Sequence, residues 1–129
     1  MPLQRIDLLA GRPAEQLRAI ADGVHRALVE TCGVPEQDRF QILTELDRRA
    51  FVFAPDYLGI RHEVPIFIQV TLNTGRTLEQ KQRLYARIAE LLAAAGVARN
   101  EVLVNLVEVA KENWSFGDGV AQYAPAAPR

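Results

Sequence analysis

The chain has 129 residues, enough for one domain with its own core. Its 15 Lys and Arg against 16 Asp and Glu leave a formal net charge of −1, which offers no basic face for nucleic acid. A single cysteine, Cys32, excludes an intrachain disulfide. No apolar run is long enough to span a membrane, and the N-terminus does not read as a signal peptide, so a cytoplasmic protein is the simplest expectation.

Only Met1 precedes Pro2. A small second residue ordinarily lets the initiator methionine be removed, which leaves Pro2 as a free N-terminus, a secondary amine at the start of a strand. The apolar run from Pro2 ends at Gly11-Arg12. A helix is predicted from Pro13 to about Thr31, with Pro13 at its first position. Its apolar face is Leu17, Ile20, Ala21, Val24 and Leu28, and Gly33 stops it. A strand follows at Phe40–Glu45. The stretch Asp47–Glu63 is less regular, with a short strand at Ala50–Phe53 and a turn at Asp56–Gly59. A second apolar run starts at Pro65 and ends at Gly75-Arg76. Thr77 and Gln80 form a capping-box pattern for a helix whose apolar face is Leu84, Ile88, Leu91, Leu92 and Ala95. Gly96-Val97 ends it, and the strand Leu103–Glu108 follows. Beyond lie a turn at Trp114–Gly119, a short strand at Val120–Tyr123, and a proline-rich tail, Ala124–Arg129, that is loose or laid over a neighbouring subunit.

The order is an internal repeat. Each half runs from a proline through an apolar strand to Gly-Arg, then through Glu-Gln (Glu15-Gln16, Glu79-Gln80) into a helix, then Gly-Val and a second strand. The expectation is therefore a single domain over residues 1–129, built from two β-α-β repeats (about 2–46 and 65–109) plus a C-terminal hairpin and tail. Right-handed crossovers give an α/β, two-layer fold: a four-stranded mixed sheet with both helices on one face. The bare face and the extra edge strands point to oligomerisation. Only the first repeat can offer a free proline nitrogen; Pro65 is an ordinary imide at a strand start.

Taken together, Pro2-Leu3 with Gly11-Arg12, Gly33-Val34-Pro35 with Asp38-Arg39-Phe40-Gln41, Arg76 with Glu79-Gln80-Lys81, and Trp114-Ser115-Phe116-Gly117 resemble the tautomerase superfamily, which has the 4-oxalocrotonate tautomerase-like fold. The nearest likeness is to malonate semialdehyde decarboxylase and its relatives. The resemblance implies a catalytic amino-terminal proline at Pro2, an active-site aspartate at Asp38, a substrate-binding arginine at Arg76 and an aromatic pair at Trp114 and Phe116. It also implies a homotrimer and no metal or organic cofactor. The decarboxylase pattern carries two arginines flanking a proline before the second helix; here Thr74-Gly75-Arg76 stands there, so Thr74 replaces the first arginine and leaves the pocket less cationic.

Burial and a neighbouring cation disfavour the protonated form of an amine, which suits Pro2 to general-base chemistry. The planar fork of Arg76 suits a carboxylate, so the partner is a small anionic carboxylate. The expected activity is keto–enol tautomerisation of a 2-oxo acid, with Asp38 orienting the substrate or a water. Decarboxylation of malonate semialdehyde, or cofactor-independent hydration, uses the same proline differently. A non-catalytic trimeric interaction protein is the competing class, as folds do not fix function. Arg12, the repeat counterpart of Arg76, reads as structural, and Arg39 as a weaker anion-binding candidate. Cys32 reads as packing, and His25 and His62 lack metal-like spacing.

Overall fold

A computed structural model describes residues 1–125. Its elements are β1 (Leu3–Leu9), α1 (Ala14–Cys32), β2 (Phe40–Leu46), the two-residue strands β3 (Asp56–Tyr57) and β4 (Ile60–Arg61), β5 (Ile66–Asn73), α2 (Leu78–Ala94) and β6 (Val102–Val109). The large sheet has the order β2-β1-β5-β6. β1 pairs parallel with β2, β5 pairs parallel with β6, and β1 meets β5 antiparallel. This is the tandem β-α-β sheet expected from the repeat.

Alternation along the strands sorts the two faces. Ile6 and Leu8 of β1 and Ile66, Ile68, Val70 and Leu72 of β5 are buried beneath the helices, as a period of two requires. Ile20, Val24, Ala27 and Leu28 of α1 and Leu84, Ile88 and Leu92 of α2 close over them in one core cluster. Burying each large aliphatic side chain contributes about 1.5–3 kcal/mol. The helices run antiparallel to each other, since Gln16 Nε2 donates to Ala95 O at one end and Arg76 Nη2 to Cys32 O at the other. They approach closely at Gly23, where a Cβ would stand 3.0 Å from Leu92 Cδ1.

The helix ends follow local chemistry. Thr77 and Gln80 make the reciprocal capping box at the start of α2, worth about 1 kcal/mol. Pro13 is the cap of α1 rather than its first residue, and no side chain bonds the free amides there. Gly33, with φ 69°, closes α1 in the left-handed region. No helix among the described residues is long and apolar enough to cross a membrane.

Three expectations change. Ala50–Phe53 is not a strand. Asp47 accepts from Arg49 N and sets a 3-10 turn over Arg48–Ala50. The segment then packs through its rings, Phe51 against Phe53 and Phe67, rather than through a backbone ladder. Asp56–Gly59 is a turn, but one that joins β3 to β4: Leu58 and Gly59 both have positive φ, as two-residue hairpin turns demand. Val120–Tyr123 is not a strand either, so no C-terminal β-hairpin forms among the described residues. Gln122 accepts from Phe116 N and donates to Gly117 O, taking up the backbone groups that a partner strand would need. In the tail, Ala124 and Pro125 are irregular, and residues 126–129 lie outside the described part.

Candidate active site

The antiparallel register decides which residues can meet. Leu3 pairs with Thr71, so the start of β1 lies beside the end of β5. The loop that enters β2 reaches the same end, because Leu3 also pairs with Phe40. Pro2 is buried there. The Met1 amine lies 3.5 Å from Asp38 Oδ2, with the Asp38 side chain 19% exposed. The nitrogen of Pro2 is thus one residue from a cation–carboxylate pair.

Helix α1 holds the Asp38 loop. His25 Nε2 donates to Glu36 O at 2.7 Å. Arg39 donates to Asp22 at 2.7 Å and to Gln41 at 2.8 Å. Gln41 in turn donates to the buried Gln4 of β1 and to Ala21 O, each at 2.7 Å. Arg39 is therefore engaged in holding the loop, which accounts for it without an anion.

The second repeat supplies the other side. Thr74 N donates to Val109 O at 3.0 Å, and Gly75 turns the chain with φ 126°. Arg76 donates from Nη1 to Asn73 O at 3.3 Å and from Nη2 to Cys32 O at 3.1 Å. The second bond sets a cation at the C-terminus of α1, where the helix dipole favours it. Among the described residues two of the five guanidinium N–H donors are engaged, and an anion is the kind of group the rest of the fork suits. Glu108 braces the loop. Its carboxyl is held below the usual range first by the hydrogen bond from Lys81, opposed by partial burial, then by the Lys81 charge, the Gly75 amide and the Arg76 charge. The Lys81–Glu108 distance is 2.7 Å.

A groove of about 340 Å3 is lined by Asn73, Thr74, Gly75, Arg76, Gln80 and Lys111. Trp114 Nε1 donates to Asn73 Oδ1 at 2.7 Å. Its ring stacks on Phe116 at 5.7 Å and 14°, and Phe116 meets Tyr123 edge-on at 5.0 Å. Thr74, Arg76, Trp114 and Phe116 therefore gather around the end of β5, the end of the sheet that Pro2 and Asp38 share. Arg12, after the other end of β1, does not join them. Lys111, from the turn before Trp114, lines the same groove as Arg76 and adds a second cation to it. Asn73, Glu108 and Lys111 were not singled out by the sequence reading, and Lys81 entered only as part of a motif, because each acts across the fold. Only Lys111, three residues before Trp114, carries a local hint. A larger groove between the helices includes Arg26 and Arg39, but Glu36 and Asp22 already pair with them. Among the described residues no cluster of three or more His, Cys, Asp or Glu is arranged to hold a metal.

Comparison with known proteins gives concordant matches. A family model described as tautomerase enzyme matches residues 38–117, and a second with the same description matches residues 2–61. The chain is 36% identical over 124 residues to the probable tautomerase YusQ of Bacillus subtilis (strain 168), covering 95% of this chain and 98% of that one. It is similar in structure to FG41 malonate semialdehyde decarboxylase inhibited by 3-bromopropiolate, with TM-score 0.88 and 48% identity, covering 94% of this chain and 93% of that one. A symmetric trimer of fused 4-OT has the same fold, with TM-score 0.78 at 24% identity over 94% of this chain and 97% of the other.

Proposed function

Because the chain belongs to the tautomerase superfamily, with a malonate semialdehyde decarboxylase-like pattern, we propose that it is a cofactor-independent keto–enol tautomerase. It acts on a small 2-oxo acid through Pro2, once Met1 has been removed. One observation carries the reading: a buried proline, one residue from the chain terminus, whose preceding amine lies 3.5 Å from Asp38, at the sheet end that also holds the Arg76 loop.

With Met1 gone, the secondary amine of Pro2 takes the proton from the enol oxygen of the substrate. The C–O bond becomes a carbonyl, and the proton held on nitrogen is returned to C3. Arg76 grips the carboxylate with the donors left free by its two backbone bonds. Asp38, 3.5 Å from the amine of the preceding Met1, stabilises the ammonium that exists between the two transfers. Trp114 and Phe116 line the side of the substrate away from the carboxylate, and Thr74 leaves room beside it. A positioned acid–base group contributes typically 10²–10⁴-fold.

Decarboxylation is the second reading. It is favoured by the 48% identity to FG41 malonate semialdehyde decarboxylase and by Lys111 beside Arg76, a second cation near the departing carboxylate. A protonated Pro2 would then polarise the 3-oxo group. Protein whose intact mass lacks Met1 is assayed on phenylpyruvate enol and on malonate semialdehyde. The expected result is faster enol ketonisation, with Thr74→Arg moving the ratio toward decarboxylation. Efficient decarboxylation with negligible ketonisation reverses the ranking. Turnover of neither points to the non-catalytic scaffold.

We further take the assembly to be a homotrimer. Support comes from the fused 4-OT trimer of the same fold and from the bare sheet face, where Phe40 and Ile42 are 50% and 44% exposed. Light scattering should give three times the 14.4 kDa chain mass.

A further inference from the structure

We infer that the side chain of Asn73 is a positioning residue that fixes the Trp114 indole against the Arg76 loop and so sets which substrate side chains the site accepts. The inference rests on the reading of Pro2, Arg76 and Trp114 as parts of one active site.

Asn73 is the last residue of β5 and only 7% exposed. A carboxamide withdrawn from water is costly unless it is bonded. Its Oδ1 accepts from Trp114 Nε1 at 2.7 Å; an indole nitrogen can only donate, which fixes the carbonyl oxygen as the partner. The backbone oxygen of the same residue accepts from Arg76 Nη1. One residue therefore touches both the candidate carboxylate clamp and the aromatic wall.

The wall needs this tie. Trp114 follows a 3-10 turn over Lys111–Asn113 rather than a strand, and its hydrogen bond to Asn73 spans 41 residues of sequence. Phe116 stacks on Trp114 and Tyr123 packs on Phe116, so the three rings move with the indole. Removing the Asn73 oxygen leaves a part-buried N–H without a partner, and the indole turns to find water. Arg76 is differently placed. Its bonds go to the backbone oxygens of Asn73 and Cys32, which a side-chain substitution does not remove. Loss of the Asn73 amide should therefore alter discrimination at the far end of the ligand and spare the grip on the carboxylate.

The chain contains one tryptophan, so emission excited beyond the absorption of tyrosine reports Trp114 alone. Wild type, Asn73→Leu and Asn73→Asp are compared by emission and by calorimetric titration with 3-phenylpropanoate and propanoate. These probes share a carboxylate, differ by a ring and cannot tautomerise, so failure of the catalytic reading leaves the measurement intact. Wild type should prefer the aromatic probe. Asn73→Leu should shift the emission maximum and reduce that preference at least fivefold, with propanoate affinity within twofold. Asn73→Asp keeps the acceptor and adds a negative charge near Arg76. It should retain wild-type emission and the preference while weakening both probes alike. Asn73→Ala repeats the comparison if Asn73→Leu does not fold. Equal affinity of wild type for the two probes, unchanged emission in Asn73→Leu, or a preserved preference despite changed emission would each overturn the inference.

Discussion

The two repeats use one device for different ends. In the first, an acid just before the outer strand, Asp38, reaches the nitrogen ahead of a proline: the Met1 amine, at 3.5 Å. In the second, an acid just before the outer strand, Glu101, does the same. Its carboxylate accepts from Glu63 N at 2.9 Å and from Val64 N, immediately ahead of Pro65. Glu101 is 4% exposed and Asp38 19%. Where the chain continues, the acid reads peptide amides and ties an entering loop to β6. In the first repeat the same position meets the Met1 amine, and under the proposed mechanism it would serve the nitrogen of Pro2 once Met1 is removed. The helices make a second comparison. The C-terminus of α1 receives a guanidinium from the other repeat, Arg76, and that of α2 a neutral amide, Gln16.

The largest effect should separate the two prolines. Pro2→Ala, or one residue added ahead of Pro2, should lower kcat/KM by about 10²–10⁴-fold, the range for a lost acid–base group. Pro65→Ala should leave kcat/KM within about twofold, since a bonded imide offers no base. Steady-state kinetics on chains of verified mass check this, and full activity with Met1 retained would break the comparison.

The arginines come next. Arg76→Ala should lose about 1.5–3 kcal/mol of transition-state binding, the scale of a charged hydrogen bond, with partial recovery in Arg76→Lys because a point charge cannot reproduce the fork. Arg12→Ala, at the other end of the sheet, should leave kcat/KM unchanged. Equal losses would mean that the repeats are not functionally divided.

A crossed result should sharpen the pairing of the acids. Glu101→Gln should lower stability by about 1–3 kcal/mol by leaving a buried amide imperfectly matched, read as a urea midpoint, with kcat/KM retained. Asp38→Asn should do the reverse, lowering kcat with little change in the midpoint.

The smallest effect concerns pH. Glu108 has a folded value lowered below 4.5, chiefly by the Lys81 hydrogen bond. Its contribution is therefore complete above the unfolded value and is lost as pH falls through the folded one. Glu108→Gln should be less stable than wild type at neutral pH, and the two should converge in acid. A constant difference across that range would remove the carboxylate from the account.

Periodicity and the repeat carried most of the architecture. Leu84, Ile88 and Leu92 fall at helical spacing, and all three are buried. Thr77 and Gln80 form the box that their spacing implies. The failures were apolar segments whose partners are side chains. Phe51 is buried among rings, and Gln122 occupies the backbone of its own loop. Apolar alternation alone does not register such side-chain partners, whether distant, as Phe67 is from Phe51, or near, as Phe116 is to Gln122. The same applies to the site. Pro2, Asp38, Arg76, Trp114 and Phe116 were legible as a candidate pattern, whereas Asn73 acts through a bond spanning 41 residues. Such a role appears only once the fold brings the end of β5 beside the turn after β6.

The strand order has a practical side. β1 is an interior strand, flanked by β2 and β5, so the amino terminus emerges from the middle of the sheet rather than from a loose edge. A purification handle placed there would have to thread out past Asp38 and, under the proposed mechanism, would acylate the nitrogen that does the chemistry. On that mechanism such material should fold normally yet test as inactive. Handles on this chain belong at the carboxyl end.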